Sequence, residues 1–331
     1  VPVLAAGWKG GGSMSETPLL ELVHLKKYFD NPAGLLHAVD DITLKLYRGR
    51  TLGVGRKSNC GKSTLGRTVL KLIESTDGQI FFKGEDITFK KKREMLPYRR
   101  QMQIIFQDPF SSLDPKMTVS QIIEEPLKIH KVYAEKYDRE NRVKELMDLV
   151  GLDDRYVNTY PHELDGGRRQ RIGVARALAL NPEFIVCDEP VSALDVSIQA
   201  QILNLMMDLK DQLGLTYIFI THDLSLVKHI SNDILVLYLG KMAEMAPSDR
   251  LFENPLHPYT KALLTAIPVP DASYKGKEAE VMKGEVTSPI NPKPGCRFAA
   301  RCPFVKEECR TVSPEFREVE PDHFVACHIV Q

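Results

Sequence analysis

The chain has 331 residues, 43% of them hydrophobic and 27% charged, and its 44 Lys and Arg residues balance 44 Asp and Glu residues. This length and apolar content support a large folded core and exclude a disordered chain. The zero net charge removes the usual basis for sequence-independent binding to nucleic acid. No apolar run reaches the roughly 18 to 20 residues that span a bilayer.

The first segment, Val1–Ser13, ends in three glycines and a serine immediately before Met14. That pattern is typical of a vector-derived leader, and the segment lacks the ordered regions of a secretory signal. We therefore expect the folded chain to begin near Met14.

Apolar runs bounded by turn residues predict strands along the rest of the chain, and stretches with helical spacing predict helices between them. A helix is expected after Gly61, and residues 118–150 are expected to be mostly helical. Strands that alternate with helices predict a mainly parallel sheet covered on both faces. The expected strands are Leu19–Leu25, Ile42–Tyr47, Thr51–Gly55, Gln79–Lys83, Met102–Phe106, Glu183–Cys187, Thr216–Ile220 and Asp233–Tyr238.

The strand Thr51–Gly55 leads through a polar loop into a helix, which is the order that a phosphate-binding loop requires. Backbone N–H groups at a helix start bind anions, Lys62 adds positive charge, and the Ser63 hydroxyl is a ligand for magnesium. The full pattern has a glycine where Arg56 stands here. The loop and helix start run through Ser58, Asn59, Cys60, Gly61, Lys62, Ser63 and Thr64.

Three further segments point to the same chemistry. A buried strand ends in Asp188 and Glu189, a pair in which one carboxylate can hold magnesium through water and the other can polarise an attacking water. Residues 165–167 open another helix and offer a second glycine-rich N-terminus for anions. His222 follows a further buried strand. These four features, in this order, predict nucleotide chemistry.

The motifs together resemble the ATP-binding subunits of ABC transporters, specifically the dipeptide and oligopeptide import family. The resemblance runs from Leu19 to the C-terminus and includes Ile105–Pro109 and Val191–Asp195. Asn254–Thr260 and the cysteine-rich tail narrow it to peptide importers. The resemblance implies an α/β, P-loop ABC-type ATPase domain over residues 14–254. That domain has a mainly parallel sheet core, an antiparallel β subdomain and a helical subdomain at about residues 108–180.

The resemblance also implies roles for single residues. Gln107 would sense magnesium and couple to the membrane subunits, Asp188 would support the metal, and Glu189 would polarise water. Adenine would stack on Phe29 or its neighbour Tyr28, and both alternatives stay open. The implied catalytic residues are Glu189, His222, which contacts the γ-phosphate, and Lys62. The implied nucleotide contacts also include the phosphate loop, Gln107, Asp165, Gly166 and Gly167, and the implied magnesium ligands are Ser63, Gln107 and Asp188.

Five positions depart from the family pattern. Arg56 and Asn59 replace glycines, and Lys57 stands where an acidic residue is usual. Arginine tolerates positive φ poorly, so Arg56 burdens the loop. Asp165 replaces a serine that would hydrogen-bond the γ-phosphate, and its carboxylate would repel phosphate; Arg168 replaces a glutamine. We therefore expect an ATPase fold with a weakened grip on nucleotide.

The composition changes after Asn254, where prolines and cysteines accumulate, and residues 255–331 are expected to form a small separate C-terminal domain. Of six cysteines, Cys60 lies in the phosphate loop and Cys187 in a buried strand. In a reducing compartment, four thiolates in a short segment suit an iron–sulfur cluster or zinc better than disulfides. A [4Fe–4S] cluster is favoured over zinc, since paired zinc knuckles are missing, and no metal is the third alternative. The four residues are Cys296, Cys302, Cys309 and Cys327.

The leading hypothesis is a nucleotide-binding subunit that couples ATP hydrolysis, with Mg²⁺, to peptide uptake. The family resemblance implies a second ABC ATPase subunit, as homodimer or heterodimer, and two transmembrane permease subunits. It also implies, indirectly, an extracytoplasmic peptide-binding protein. The chain would then be peripheral, on the cytoplasmic face of the membrane. The alternatives are a soluble ABC-type ATPase without a transport role and a catalytically impaired partner subunit. The residues Gln107–Leu127 favour transport, because this segment lies beside the membrane-subunit contact in transporters.

Overall fold

A computed structural model describes residues 17–55, 62–267 and 288–330 of the chain. The elements up to Phe89 are β1 (Leu20–Asn31), β2 (Gly34–Leu46), β3 (Thr51–Gly55), α1 (Lys62–Val69), β4 (Asp77–Phe82) and β5 (Glu85–Asp86). Residues 90–221 form α2 (Leu96–Gln101), β6 (Met102–Ile105), α3 (Pro109–Ser112), α4 (Val119–Ile129), α5 (Lys136–Leu149), α6 (Gly166–Leu178), β7 (Phe184–Asp188), α7 (Val196–Leu213) and β8 (Thr216–Thr221). The remaining elements are α8 (Leu224–Ile230), β9 (Asp233–Tyr238), β10 (Lys241–Pro247), α9 (Ser248–Glu253), α10 (Pro258–Thr265), α11 (Glu307–Thr311), β11 (Arg317–Glu320) and β12 (His323–Val325). Short 3₁₀ turns lie at Asp154–Tyr156, Pro161–Glu163 and Ala299–Arg301.

The chain divides into two compact units, the first within Val1–Phe89 and Ile220–Gln331 and the second within Lys90–Phe219. The first unit contains an antiparallel sheet with strand order β2-β1-β4-β5. It also contains strands in the order β11-β12-β10-β9-β3, in which β3 and β9 are parallel and the other pairs are antiparallel.

Helix α8 packs very closely on β3, and two glycines of the strand make this approach possible. A Cβ added at Gly53 would lie 2.0 Å from a Val227 methyl group, and one added at Gly55 would lie 2.2 Å from a Leu224 methyl group. Such distances are far below van der Waals contact, so larger side chains would push the helix away. The glycines therefore fix where the strand meets the start of α8.

The C-terminal region is built into the first unit and is not the separate appendage that the composition predicted. Strand β12 pairs with β10, and Phe298 is buried in the same apolar cluster as Tyr238 and Tyr259. The buried carboxylate of Glu244 accepts hydrogen bonds from two backbone N–H groups of residues 256 and 257 and lies 2.7 Å from His323. A proline- and cysteine-rich stretch can thus share a neighbour's core instead of forming its own.

The second unit contains the strand order β8-β7-β6, with β6 and β7 parallel, together with helices α2 to α7. Helix α4 starts at a capping box, because the Thr118 hydroxyl accepts from the Gln121 N–H and the Gln121 side chain accepts from the Thr118 N–H. The expected helical stretch 118–150 is interrupted after Ile129, where Lys131 has a φ of +50°. The region is therefore mostly helical, as expected, and consists of the two helices α4 and α5.

The strands expected from apolar runs are present, and the hairpin β1–β2 is longer than the sequence indicated. Strand β1 continues through charged, partly buried residues to Asn31, and a two-residue turn connects it to β2 at Gly34. Charged residues on the solvent-exposed side of this hairpin mask the alternation of apolar and polar residues that predicts a strand. Strands β10 to β12 were not expected from the sequence, because buried polar residues interrupt the apolar pattern of β10 and β12, and β11 is mostly charged and not buried.

Candidate functional site

The expected phosphate loop lies between β3 and α1. Arg56, Lys57, Ser58, Asn59, Cys60 and Gly61 lie outside the described residues, as does the side chain of Lys62. Helix α1 follows with partly buried Ser63 and Thr64, and its first turn contains no acidic residue. The positive end of the helix dipole is therefore not offset by a carboxylate within that turn, which suits an anion.

The two candidate adenine-stacking residues lie next to each other on β1 but differ in their contacts. The Tyr28 hydroxyl donates a 2.5 Å hydrogen bond to Asp40, and the Tyr28 ring stacks on His37 at 3.9 Å between centroids. Burial and the hydrogen bond to Asp40 raise the pKa of Tyr28. Phe29 has no such polar anchor and carries the ammonium of Lys27 at 4.7 Å from its ring centroid. These contacts favour Phe29 as the ring that is available to a base.

His222 lies in the first unit, directly after β8. Its side chain is exposed, and the following residue, Asp223, caps α8 by accepting from the Ser225 N–H at 2.8 Å. The Asp223 N–H in turn bonds to the Thr221 hydroxyl at 3.1 Å. The backbone on both sides of the histidine is therefore fixed while its ring faces outward.

The acidic pair lies in the second unit at the end of β7. Asp188 is almost fully buried, and Glu189 is only 6% exposed. Burial, together with the neighbouring Asp188, raises the pKa of Cys187 well above its usual range, so this thiol is a neutral core residue. The end of the strand thus places two carboxylates where both are largely shielded from water.

Glu189 is held in an unusual conformation. Its φ is +49°, in the left-handed region that non-glycine residues rarely adopt and that costs on the order of 1–3 kcal/mol. Its Oε2 accepts a 2.9 Å hydrogen bond from Gln107 Nε2, although 82 residues separate the two in sequence. The structure therefore brings together two predicted site residues and orients the carboxylate of one by the amide of the other.

The second glycine-rich helix start is helix α6. Cβ atoms added at Gly166 and Gly167 would lie 2.9 Å from a Leu194 methyl group and 2.8 Å from an Ile198 methyl group. The glycines therefore let the first turn of α6 approach the residues around the start of α7. Packing alone therefore explains, in part, why glycines occur at positions 166 and 167.

Asp165 is not the isolated negative charge that the family pattern suggested. It is the N-cap of α6 and accepts a 2.8 Å hydrogen bond from the Arg168 N–H. The Arg168 guanidinium also forms an ion pair with the Asp165 carboxylate and lies over the Tyr156 ring, 5.1 Å from its centroid. The two departures from the family pattern are therefore coupled, and an acid and a base at i and i+3 were the signal that could have found the pair.

The four tail cysteines, all in the first unit, lie close enough to affect one another. The Cys296 N–H bonds to the Cys309 carbonyl at 2.8 Å. Burial, then the proximity of Cys327, Cys309 and Cys302, raises the pKa of Cys296 to about 11, although a backbone N–H of Phe298 opposes this shift. All four are free thiols. Across residues 17–55, 62–267 and 288–330, no group of three or more potential ligands is arranged to hold a metal ion.

Comparison with known proteins gives matches over nearly the whole chain. Residues 39–192 match the family described as ABC transporter, and residues 243–309 match the family described as oligopeptide/dipeptide transporter, C-terminal region. The oligopeptide transport ATP-binding protein OppF of Bacillus subtilis is 51% identical over 310 residues, covering 93% of this chain and 96% of that protein. The putative oligopeptide transport ATP-binding protein YkfD of the same organism is 49% identical over 318 residues, covering 96% and 97%.

Solved structures with the same fold include ATPases of other transporters. A dimeric, post-hydrolysis structure of the ATP-binding cassette MJ0796 bound to ADP and Pi has a TM-score of 0.63 at 26% identity, covering 69% of this chain and 98% of that one. The structure of cbiO1 from Clostridium perfringens, part of the cbiONQ ABC transporter complex, has a TM-score of 0.64 at 23% identity, covering 72% and 92%. The second likeness bears on the fold alone.

Proposed function

The chain belongs to the oligopeptide and dipeptide family of ABC transporter ATP-binding proteins, and from that premise we propose how its residues bind and hydrolyse ATP to power peptide import. The observation that carries the proposal is the buried, conformationally strained Glu189, whose carboxylate is held by Gln107. A carboxylate fixed in this way is suited to orient a water for attack on phosphorus.

Magnesium fits the donor set, because hydroxyl and carboxylate oxygens are the ligands that it prefers. We assign Ser63 and Asp188 to hold the ion, with Gln107 sensing it. When bound, magnesium would neutralise charge on the phosphates. Lys62 would add positive charge there, and exposed His222 would donate to the γ-phosphate.

For the base, we select Phe29 and not Tyr28. The Tyr28 hydroxyl is hydrogen-bonded to Asp40 and its ring stacks on His37, whereas the Phe29 ring is contacted by the ammonium of Lys27, whose flexible side chain can move aside for a base. Stacking of a base on an aromatic ring contributes about 1–3 kcal/mol. Tyr28 would then support Phe29 indirectly, through its contacts with Asp40 and His37 on the same hairpin.

The partners that the proposal requires are a second ATPase subunit, identical or different, and two transmembrane permease subunits. The related MJ0796 cassette has been solved as a dimer. In the proposed dimer, the segment Asp165–Gly167 of one subunit contacts the nucleotide held by the other. Within the described residues, no helix is both long and apolar enough to cross a bilayer. The proposed location is peripheral, on the cytoplasmic face of the membrane, with an extracytoplasmic peptide-binding protein delivering the peptide.

The surface of the second unit supports a docking role. Phe110 and Ile129 are 61% and 65% exposed, and both lie in or beside the segment Gln107–Leu127. Exposed apolar side chains of this kind suit contact with a membrane subunit. We assign this surface to the membrane-subunit contact, against the alternative of an ABC-type ATPase that works without a membrane partner.

The alternative of a catalytically impaired subunit rests on Arg56 and Asp165. Arg56 lies outside the described residues. The charge of Asp165 is offset by Arg168, so this departure alone does not favour an inactive protein. The geometry of Glu189 favours an active one.

The experiment reconstitutes the chain with its second ATPase and permease subunits in vesicles that hold the binding protein and labelled peptide on the side from which import starts. We expect peptide uptake that requires both ATP and Mg²⁺ and stops when the ion is chelated. ATP hydrolysis without uptake would favour the non-transport ATPase, and uptake driven by the other subunit alone would favour the impaired partner.

A second proposal concerns the tail cysteines, which we assign to a [4Fe–4S] cluster, with zinc as the alternative. Cys296 lies near the other three tail thiols, and thiolates are ligands of both groups. The described arrangement does not itself surround a metal ion, so the assignment rests on the type of ligand. Anaerobic purification should yield a brown protein with iron and labile sulfide, and Cys302→Ser should bleach it without removing ATP binding. A colourless protein with stoichiometric zinc would assign the site to zinc, and four titratable thiols in the folded protein would contradict any metal.

A further inference from the structure

The C-terminal region adds a short antiparallel bridge to the edge of β2, at the residues that lie opposite the adenine-stacking position. In the β1–β2 register, Phe29 pairs with Leu36 and Tyr28 with His37. On the other edge of β2, Leu36 pairs with Ile290. The segment around Ile290 therefore pairs with β2, and β2 in turn pairs with the part of β1 that contains Phe29.

Several hydrogen bonds hold this contact. The His37 N–H donates to the Pro289 carbonyl at 3.0 Å, and the Asn291 N–H donates to the Leu35 carbonyl at 2.9 Å. The Asn291 side chain accepts from the Leu35 N–H at 2.8 Å. Gly34, with a φ of +129°, leaves room for Asn291, since a Cβ there would lie 1.9 Å from Asn291 Nδ2. Asn291 and the turn at Gly34 therefore fit each other closely.

A buried ion pair makes a second connection to the same hairpin. The Asp40 carboxylate, with its side chain 8% exposed, accepts from the Tyr28 hydroxyl through one oxygen and pairs with the Arg297 guanidinium through the other. Burial alone would raise the pKa of Asp40, but the hydrogen bond from Tyr28 and the charges of Lys241 and Arg297 lower it below its usual value. The carboxylate is therefore an anion that links the tail to the residue beside Phe29.

We propose that Asn291 and Arg297 are positioning residues for the nucleotide base, and that the C-terminal region thereby sets the affinity for ATP. The inference rests on the proposed stacking of adenine on Phe29. A ring on a hairpin that is tied at both edges is already oriented before the base arrives, so less freedom is lost on binding. The region that marks the chain as a member of the peptide family thus also serves the ATP site.

The experiment compares the Asn291→Ala and Arg297→Lys variants with Lys293→Ala, an exposed residue of the same segment, in the full chain. Arg297→Lys keeps the charge beside Asp40 and so preserves the fold, but it loses the planar fork of the guanidinium. We expect the Kd and KM for ATP to rise by about 3- to 10-fold in the first two variants, with kcat at saturating ATP unchanged. Lys293→Ala should match the wild type.

Two controls separate positioning from general stability. Inorganic tripolyphosphate has no base, so its affinity should not change in either variant. In a Phe29→Ala background, which itself should weaken ATP binding, Asn291→Ala should have no further effect. Equal losses for ATP and tripolyphosphate, or additive losses with Phe29→Ala, would overturn the inference.

A failure of the proposed adenine stacking on Phe29 can be distinguished from a failure of the positioning role. If Phe29→Ala leaves ATP affinity unchanged, the adenine assignment is wrong, and the positioning role is wrong with it. If Phe29→Ala weakens binding but the Asn291 and Arg297 variants bind ATP like the wild type, only the positioning role is wrong.

Discussion

Helices α1 and α6 both begin where the chain is proposed to meet phosphate groups, and neither has an acidic residue in its first turn. They differ in the residue before that turn, which is Gly61 in the sequence before α1 and the acidic N-cap Asp165 before α6. In α6 the cap satisfies one backbone N–H, and the positive charge lies on the side chain of Arg168 instead. At the proposed phosphate contact of α6, the charge of the Asp165 carboxylate is therefore offset by the neighbouring Arg168.

The largest effect is expected at α1. Lys62→Ala should lower the affinity for MgATP by about 100-fold, because backbone N–H groups cannot replace the charge–phosphate interaction. Isothermal titration calorimetry of the purified chain would measure it, with Lys116→Ala, an exposed lysine in the second unit, as the control. Equal affinities in the wild type and Lys62→Ala would remove α1 from the phosphate site.

A smaller effect is expected at α6. Arg168→Gln leaves the Asp165 carboxylate without its cation, so ATP turnover by the assembled transporter should fall by about 10-fold through repulsion of phosphate. Arg155→Gln is a matched control, since Arg155 also lies over the Tyr156 ring and near an aspartate, Asp153, at 3.6 Å. Similar losses in the two variants would show that the effect comes from the arginine–ring contact and not from Asp165.

The smallest effect should follow from removing both charges. The double variant Asp165→Ser, Arg168→Gln should recover turnover to within about threefold of the wild type, since serine keeps the cap and the pair contributes only about 0.2–1 kcal/mol at such exposure. A double-mutant cycle on turnover would give the coupling. Additive effects of the two single variants would contradict the view that Asp165 and Arg168 act as a unit.

The sequence predicted the parts of the fold that depend on local pattern. Strands β3, β7, β8 and β9 are buried along their whole length, so their continuous apolar runs were visible. Strand β10 was not visible, because it contains Glu244, whose partners lie on two later segments. The contact between Gln107 and Glu189 could not be predicted from local pattern either, because it joins residues 82 positions apart.

Through the family resemblance, the sequence also predicts which residues form the proposed site, but not how neighbouring departures compensate each other. Asp165 and Arg168 are separate anomalies when each is compared with the pattern, and the structure makes them one ion pair. The tail shows the same limit. Its proline and cysteine content suggested a separate domain, whereas Phe298 and Arg297 tie it to the first unit.

The proposed hydrolysis is tested most directly by comparing ATP binding and turnover in Glu189→Gln. The amide is nearly isosteric with the carboxylate but cannot polarise water, so turnover should fall by about 100-fold or more while the Kd for MgATP stays within about twofold of the wild type. Glu253→Gln, at an exposed glutamate at the end of α9, should change neither quantity. Unchanged turnover per active site in Glu189→Gln would contradict the assignment of hydrolysis to this residue.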